Sequence, residues 1–97
     1  MKKKEPVGIS CSPTEVYEKA LKKWGYQSQW GMLIEEMGEL MQVLNKYERF
    51  KATVAEVQDE LVDVEIMLGQ MGIVFGRERI HHRKIEKINR LEKLLEK

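Results

Sequence analysis

The sequence predicts an all-α protein: a four-helix bundle-like unit of antiparallel helices, completed by oligomerisation. Three observations carry that expectation. Both prolines fall by residue 13, and the rest of the chain is rich in Leu, Met, Glu and Lys, which favour helix over sheet. Two capping boxes, "SPTE" at 12–15 and "TVAE" at 53–56, mark helix starts. Two long segments carry heptad-like apolar stripes, the spacing of helices packed along their length.

Residues 1–11 read as a flexible tail and 12–97 as a single helical domain. Ser12 is the N-cap of the first helix, Pro13 takes its first position and Glu15 closes the box. That helix is expected to run to about Trp24 and stop at Gly25. The second is expected from Gln27 or Ser28 to about Phe50, with Leu33, Met37, Leu40, Leu44 and Tyr47 as its stripe. The third follows Thr53 and ends at Gly76, with Val54, Val57, Leu61, Val64, Leu68, Met71 and Phe75 as its stripe. Its remaining side carries Val62, Ile66, Gly69 and Ile73. A helix apolar on nearly every side is buried on nearly every side, so part of it is expected to meet another subunit. The last helix covers roughly Arg77 to Leu95, and the short connections predict antiparallel neighbours.

Composition narrows the function classes. The chain has 97 residues, room for one domain with a modest core. At 42% hydrophobic and 34% charged it reads as globular and not disordered. A formal net charge of +1 argues against nucleic acid or an anionic membrane as dominant partner. The opening "MKKKEPVGIS" has a basic cluster with no apolar run behind it, and no segment is long and apolar enough to span a membrane. Cys11 is the only cysteine, so no internal disulfide is available, which suits a reducing, cytoplasmic setting.

The acidic residues set the functional question. "EMGEL" at 36–40 and "ELVDV" at 60–64 share one pattern: acid, apolar, any, acid, apolar. At 100° per residue, Glu36 and Glu39 fall beside the second helix's stripe, and Glu60 and Asp63 beside the third's. Residues three apart on a helix face the same way, about 5–6 Å apart at Cβ. Two antiparallel helices therefore bring all four to a common point. Four close carboxylates must be protonated, salt-bridged or bound to cations. The bland alternative is a solvated acidic face paired with lysines, which two matched pairs beside two core stripes disfavour. An all-oxygen ligand set suits Mg²⁺ or Mn²⁺ better than zinc or copper. A di-iron bundle would want Glu-x-x-His motifs, whereas His81 and His82 lie elsewhere and read as surface residues. A carboxylate-held magnesium recruits polyphosphate, and the chemistry that follows is attack of water on phosphorus.

At this point the residues resemble a family. "EEMGEL" followed by "DELVDV" is similar to the Glu-x-x-Glu … Glu-x-x-Asp signature of the MazG-like, all-α nucleoside triphosphate pyrophosphohydrolases. That superfamily includes dimeric dUTPases and dCTP pyrophosphatases. The likeness spans about residues 24–95. It implies Mg²⁺-dependent hydrolysis of a nucleoside triphosphate to the monophosphate and pyrophosphate, by a homodimer or homotetramer. It implies Glu36, Glu39, Glu60 and Asp63 as metal ligands. Glu35, the extra acid of the doubled motif, and Glu36 become the candidate catalytic residues. For Glu35, support of a ligand, activation of water and a plain surface role all stay open. Gln29 resembles a glutamine found ahead of the first motif, and "INR" at 88–90 resembles a late Lys…Asn element. Ile85 stands where that element has its lysine, so Lys84 and Lys87, with Asn89, are the candidate phosphate contacts. Lys46 occupies the place of a tryptophan found in some deoxycytidine-specific members. Trp24, Tyr26 and Trp30 cluster before the first motif. Trp30, with Gln29, is the candidate base contact, although its place on the core stripe of its helix favours packing. Met32, Met37, Met41, Met67 and Met71 read as core filler.

Two further readings compete with the enzyme. One is a non-catalytic helical module serving dimerisation or regulation, against which stands the acidic character of all four ligand positions. The other is a redox metal protein, against which stands the separation of His81 and His82 from the two acidic motifs.

Overall fold

The computed structural model describes residues 12–97, and the predicted tail at 1–11 lies outside them. Among the described residues the fold is all-α: α1 (Pro13–Trp24), α2 (Tyr26–Glu48), α3 (Val54–Phe75) and α4 (Arg77–Leu95). Both predicted capping boxes are formed. The Ser12 hydroxyl accepts from the Glu15 N–H at 3.2 Å, and the Glu15 carboxylate accepts from the Ser12 N–H at 2.9 Å. Thr53 and Glu56 repeat the exchange at 3.1 and 2.7 Å. α2 and α4 have no side-chain cap; each starts directly after a glycine of positive φ, 87° at Gly25 and 106° at Gly76. One such residue ends a helix and redirects the chain, which residues with a Cβ resist. That is why α2 starts at Tyr26, slightly before the expected Gln27 or Ser28.

α2 ends at Glu48 in a Schellman turn. The Lys51 N–H donates to the Lys46 carbonyl at 2.7 Å and the Phe50 N–H to the Tyr47 carbonyl at 2.9 Å. Phe50 takes the left-handed position at φ 62°, which a glycine would occupy without strain.

α2 and α3 pair antiparallel. Trp30 near the start of α2 meets Phe75 at the end of α3 edge to face, with ring centroids 6.0 Å apart. Leu33, Val64, Met67 and Met71 form the buried apolar core, and Leu21, Leu40 and Val74 pack against it. α1 contacts both helices of the pair. Its Tyr17 ring lies over Gly69 so closely that a methyl group at position 69 would collide with it. Part of the third side of α3 is thus covered within the chain, with Gly69 under Tyr17 and Ile73 half-buried, while Val62 and Ile66 stay exposed.

Two apolar surfaces remain open. Trp30, Ile34, Met37, Met41 and Leu44 form an exposed strip on α2, and Leu61, Leu68 and Phe75 are exposed on α3. α4 reaches α3 but neither α1 nor α2, and Ile80, Ile88 and Leu91 on it are exposed. Lys84 and Lys87 share the surface of α4 with these three residues. No helix of the described residues is long and apolar enough to cross a membrane.

Candidate metal centre

The antiparallel pairing brings the two acidic motifs together. One carboxylate oxygen each from Glu36, Glu60 and Asp63 lies within 4.8 Å of the others. Glu39 stands beside them, and its charge acts on both Glu36 and Glu60. Glu36 shares its strip of α2 with Leu33 and Leu40, and Glu60 shares its strip of α3 with Val64 and Met67. Each glutamate is therefore held half-buried at the edge of the core.

That placement is costly. Glu36 Oε1 and Glu60 Oε1 are buried with no hydrogen-bond partner, a condition worth about 1–3 kcal/mol for each such group. The Glu36 carboxyl is pushed from 4.5 up to about 7, first by burial and then by the charges of Glu39, Asp63 and Glu60. Glu60 is raised for the same reasons, burial first and then Glu39 and Asp63, partly offset by a hydrogen bond with Glu36. Two orphaned oxygens among clustered carboxylates are what a hard cation would satisfy. The donors are all oxygen, so the residues fit Mg²⁺ or Mn²⁺.

The cluster adjoins a pocket of about 260 Å³. Glu39, Val43 and Lys46 line it from α2, and Glu56, Asp59 and Glu60 from α3. Glu56 is engaged by the Thr53 N–H and hydroxyl, which hold its carboxyl below the usual range. Asp59 and Lys46 were not among the expected site residues. The signal for Asp59 was present, since Glu56, Asp59 and Asp63 are three and four apart and share one strip of α3.

The other expected residues lie apart from the cluster. Glu35 is exposed, and its charge is not among those acting on Glu36. Gln29 is buried on the strip that carries Leu33 and Glu36. Trp30 is turned about 90° from that strip, toward Phe75. Lys84 and Lys87 share one side of α4 with Ile80 and Leu91, whereas Asn89 does not line that side. α4 does not contact α2, and no charge on α4 is among those acting on Glu36 or Glu60. His81 lines a groove between α3 and α4.

No family model matches the chain, and no curated protein or solved structure matches it. The likeness to MazG-like enzymes therefore rests on the motifs themselves, and the candidate metal centre on its geometry.

Proposed function

We propose that this chain is a Mg²⁺-dependent nucleoside triphosphate pyrophosphohydrolase. In this reading it cleaves a ribo- or deoxynucleoside triphosphate between the α and β phosphorus, releasing the monophosphate and pyrophosphate. Its role would be house-cleaning or control of the nucleotide pool in the cytoplasm. One observation carries the reading: Glu36, Glu60 and Asp63 converge within 4.8 Å, and two of their oxygens are buried without a partner. A fold keeps such a cluster at a cost to stability when the cluster has work to do.

Glu36, Glu39, Glu60 and Asp63 would hold the metal. Bound there, Mg²⁺, or Mn²⁺ in its place, supplies open positions for phosphate oxygens and water and offsets the negative charge. The pocket beside Glu39 has room for part of a phosphate chain, and Lys46 in its wall offers a cation. Glu35 and Glu36 are the acids available to take a proton from the attacking water, Glu36 having its carboxyl near neutrality before metal binds.

The reading includes a homodimer or homotetramer. The open strip on α2 and the exposed residues of α3 would be covered by a second copy. Charge favours α4 of one copy lying along α2 and α3 of another. α3 has no basic residue and α2 only Lys46, while lysines and arginines outnumber acids on α4. That arrangement would bring Lys84, Lys87 and Asn89 toward the substrate phosphates, and a base would then meet residues of both copies, with Gln29 and Trp30 as the candidates on this one.

The test is a panel of ribo- and deoxynucleoside triphosphates with Mg²⁺, scored for pyrophosphate against orthophosphate. Pyrophosphate with monophosphate is the expected outcome. Orthophosphate with diphosphate would mean a different bond is cut, and no turnover with any nucleotide would favour the non-catalytic helical module.

A further inference from the structure

Arg77, His81 and Lys84 are spaced i, i+4, i+7 on α4 and present one face of that helix. All three line a groove of about 620 Å³ between α4 and the end of α3. Gly69 and Gly72 form the facing wall, and Ile80 supplies an apolar patch. None of these three side chains has an ion-pair partner among the described residues, whereas Arg83, on another face of α4, is paired with Glu86. Glu78 also lines the groove and is the one acid that does. Arg77 and Lys84 thus outweigh it even with His81 neutral.

The groove is separate from the acidic cluster. Nine positions separate Glu60 from Gly69 and Asp63 from Gly72. On a helix that is about half a turn of rotation and about 13 Å along the axis. A molecule in the groove therefore lies on the far side of α3 from the carboxylates.

We propose that this groove is a second binding site, for a phosphorylated small molecule whose phosphate sits on Arg77, His81 and Lys84. Arginine offers a planar fork that matches phosphate oxygens, and lysine adds a point charge. Gly72 leaves room for the rest of the ligand close to the α3 backbone, and Ile80 gives its apolar part a surface. The volume suits a ligand of nucleotide size. Such a ligand would touch both helices across Gly76 and brace the angle at which α4 leaves α3. The site does not depend on the metal centre, and Lys84 is the one residue it shares with the proposed substrate contacts.

Titration of the full chain with pyrophosphate and, in a separate arm, AMP tests this, followed by amide NMR in EDTA. Without metal the acidic cluster repels both probes, so binding reports on the groove alone. Saturable shifts are expected at Gly69, Gly72 and residues 77–84 with at least one probe. If pyrophosphate alone saturates, the site reads the phosphate group; if AMP binds more tightly, it reads a nucleotide. The double variant R77Q/H81Q should weaken binding at least tenfold, and R90Q/K93Q, which removes charge elsewhere on α4, should change it less than twofold. Gly72→Leu fills the groove without altering charge and should also abolish binding; a Cβ at this position meets only ordinary contact with Arg77. Glu36→Gln should leave binding unchanged. The proposal is overturned by an absence of shifts with both probes, by shifts spread evenly along α4, by equal losses in the two double variants, or by binding that survives Gly72→Leu.

Discussion

Replacing Glu36 by glutamine should stabilise the metal-free protein at neutral and higher pH, and much less at pH 5. The Glu36 carboxyl titrates near 7 in the folded chain against 4.5 ordinarily. A group raised in this way binds its proton more tightly folded than unfolded. Its contribution is therefore most favourable below pH 4.5 and is lost as pH rises toward 7. Each pH unit of displacement corresponds to about 1.4 kcal/mol, so the ceiling on the loss is about 3 kcal/mol. The cluster is open to water on its Glu39 side, and screening reduces this to about 1–2 kcal/mol. Glutamine has nearly the same shape and can donate to Glu60 as the protonated acid does, without ever ionising. It should recover that 1–2 kcal/mol at pH 8, and about 1 kcal/mol moves the melting point of a domain this size by about 4–8 °C. The assay is a set of circular-dichroism melts of parent and variant in EDTA, from pH 5 to 8. Glu56 and Glu86 have lowered carboxyls; stability from such groups is lost as pH falls below about 4.5, outside the window. An equal gain at pH 5 and pH 8, or no gain at pH 8, would refute the electrostatic account of the cluster.

Three further outcomes are expected. Glu39→Gln and Asp63→Asn should each cut pyrophosphate release on the order of 10²-fold or more, because a misplaced or weakly held metal misplaces the attacking water; full turnover in both would remove the metal site, and melts in EDTA should show the fold intact. Phe50→Gly should raise stability by about 0.5–1 kcal/mol in chemical denaturation, since Phe50 is 95% exposed and holds a positive φ; a lower midpoint would mean the ring makes a contact outside its own chain. Met41→Asp and Ile66→Asp place a charge on exposed apolar positions and should convert a dimer or tetramer to monomer or aggregate in sizing with light scattering; a monomeric parent would contradict the assembly.

The helices were legible because their boundaries are written in local chemistry. Ser12–Glu15 and Thr53–Glu56 satisfy N–H groups that the first turn of a helix leaves unbonded, and Gly25 and Gly76 take a φ that other residues avoid. The acidic cluster was legible for a similar reason, since spacing by three fixes a common face and antiparallel pairing does the rest. Coverage was not legible. Leu61 and Val64 lie on the same predicted stripe, yet Val64 is buried and Leu61 is 49% exposed. Met67, outside that stripe, is buried because the α2–α3 contact is centred toward the acids. A stripe says which side of a helix is apolar; it does not say whether the same chain covers it. The direction of α4 was hidden too, because one glycine sets it and nothing in the apolar spacing corrects it.

The cluster sits where it is least free to relax. Carboxylates on a surface helix reduce repulsion by rotating into water. Glu36 and Glu60 cannot do so without leaving strips that carry Leu33, Leu40, Val64 and Met67, three of which are buried core. Separating the two glutamates means separating α2 from α3, and that would open the core. The repulsion is therefore held in place by packing, and a cation that bound here would not have to order these two glutamates. Glu39 differs, being at the mouth of the pocket shared with Lys46, where its side chain is exposed. It follows that variants of Glu36 and Glu60 should act strongly on both stability and metal affinity, while variants of the exposed Glu39 should act mainly on metal affinity, with a smaller gain in stability from the charge removed beside the other two.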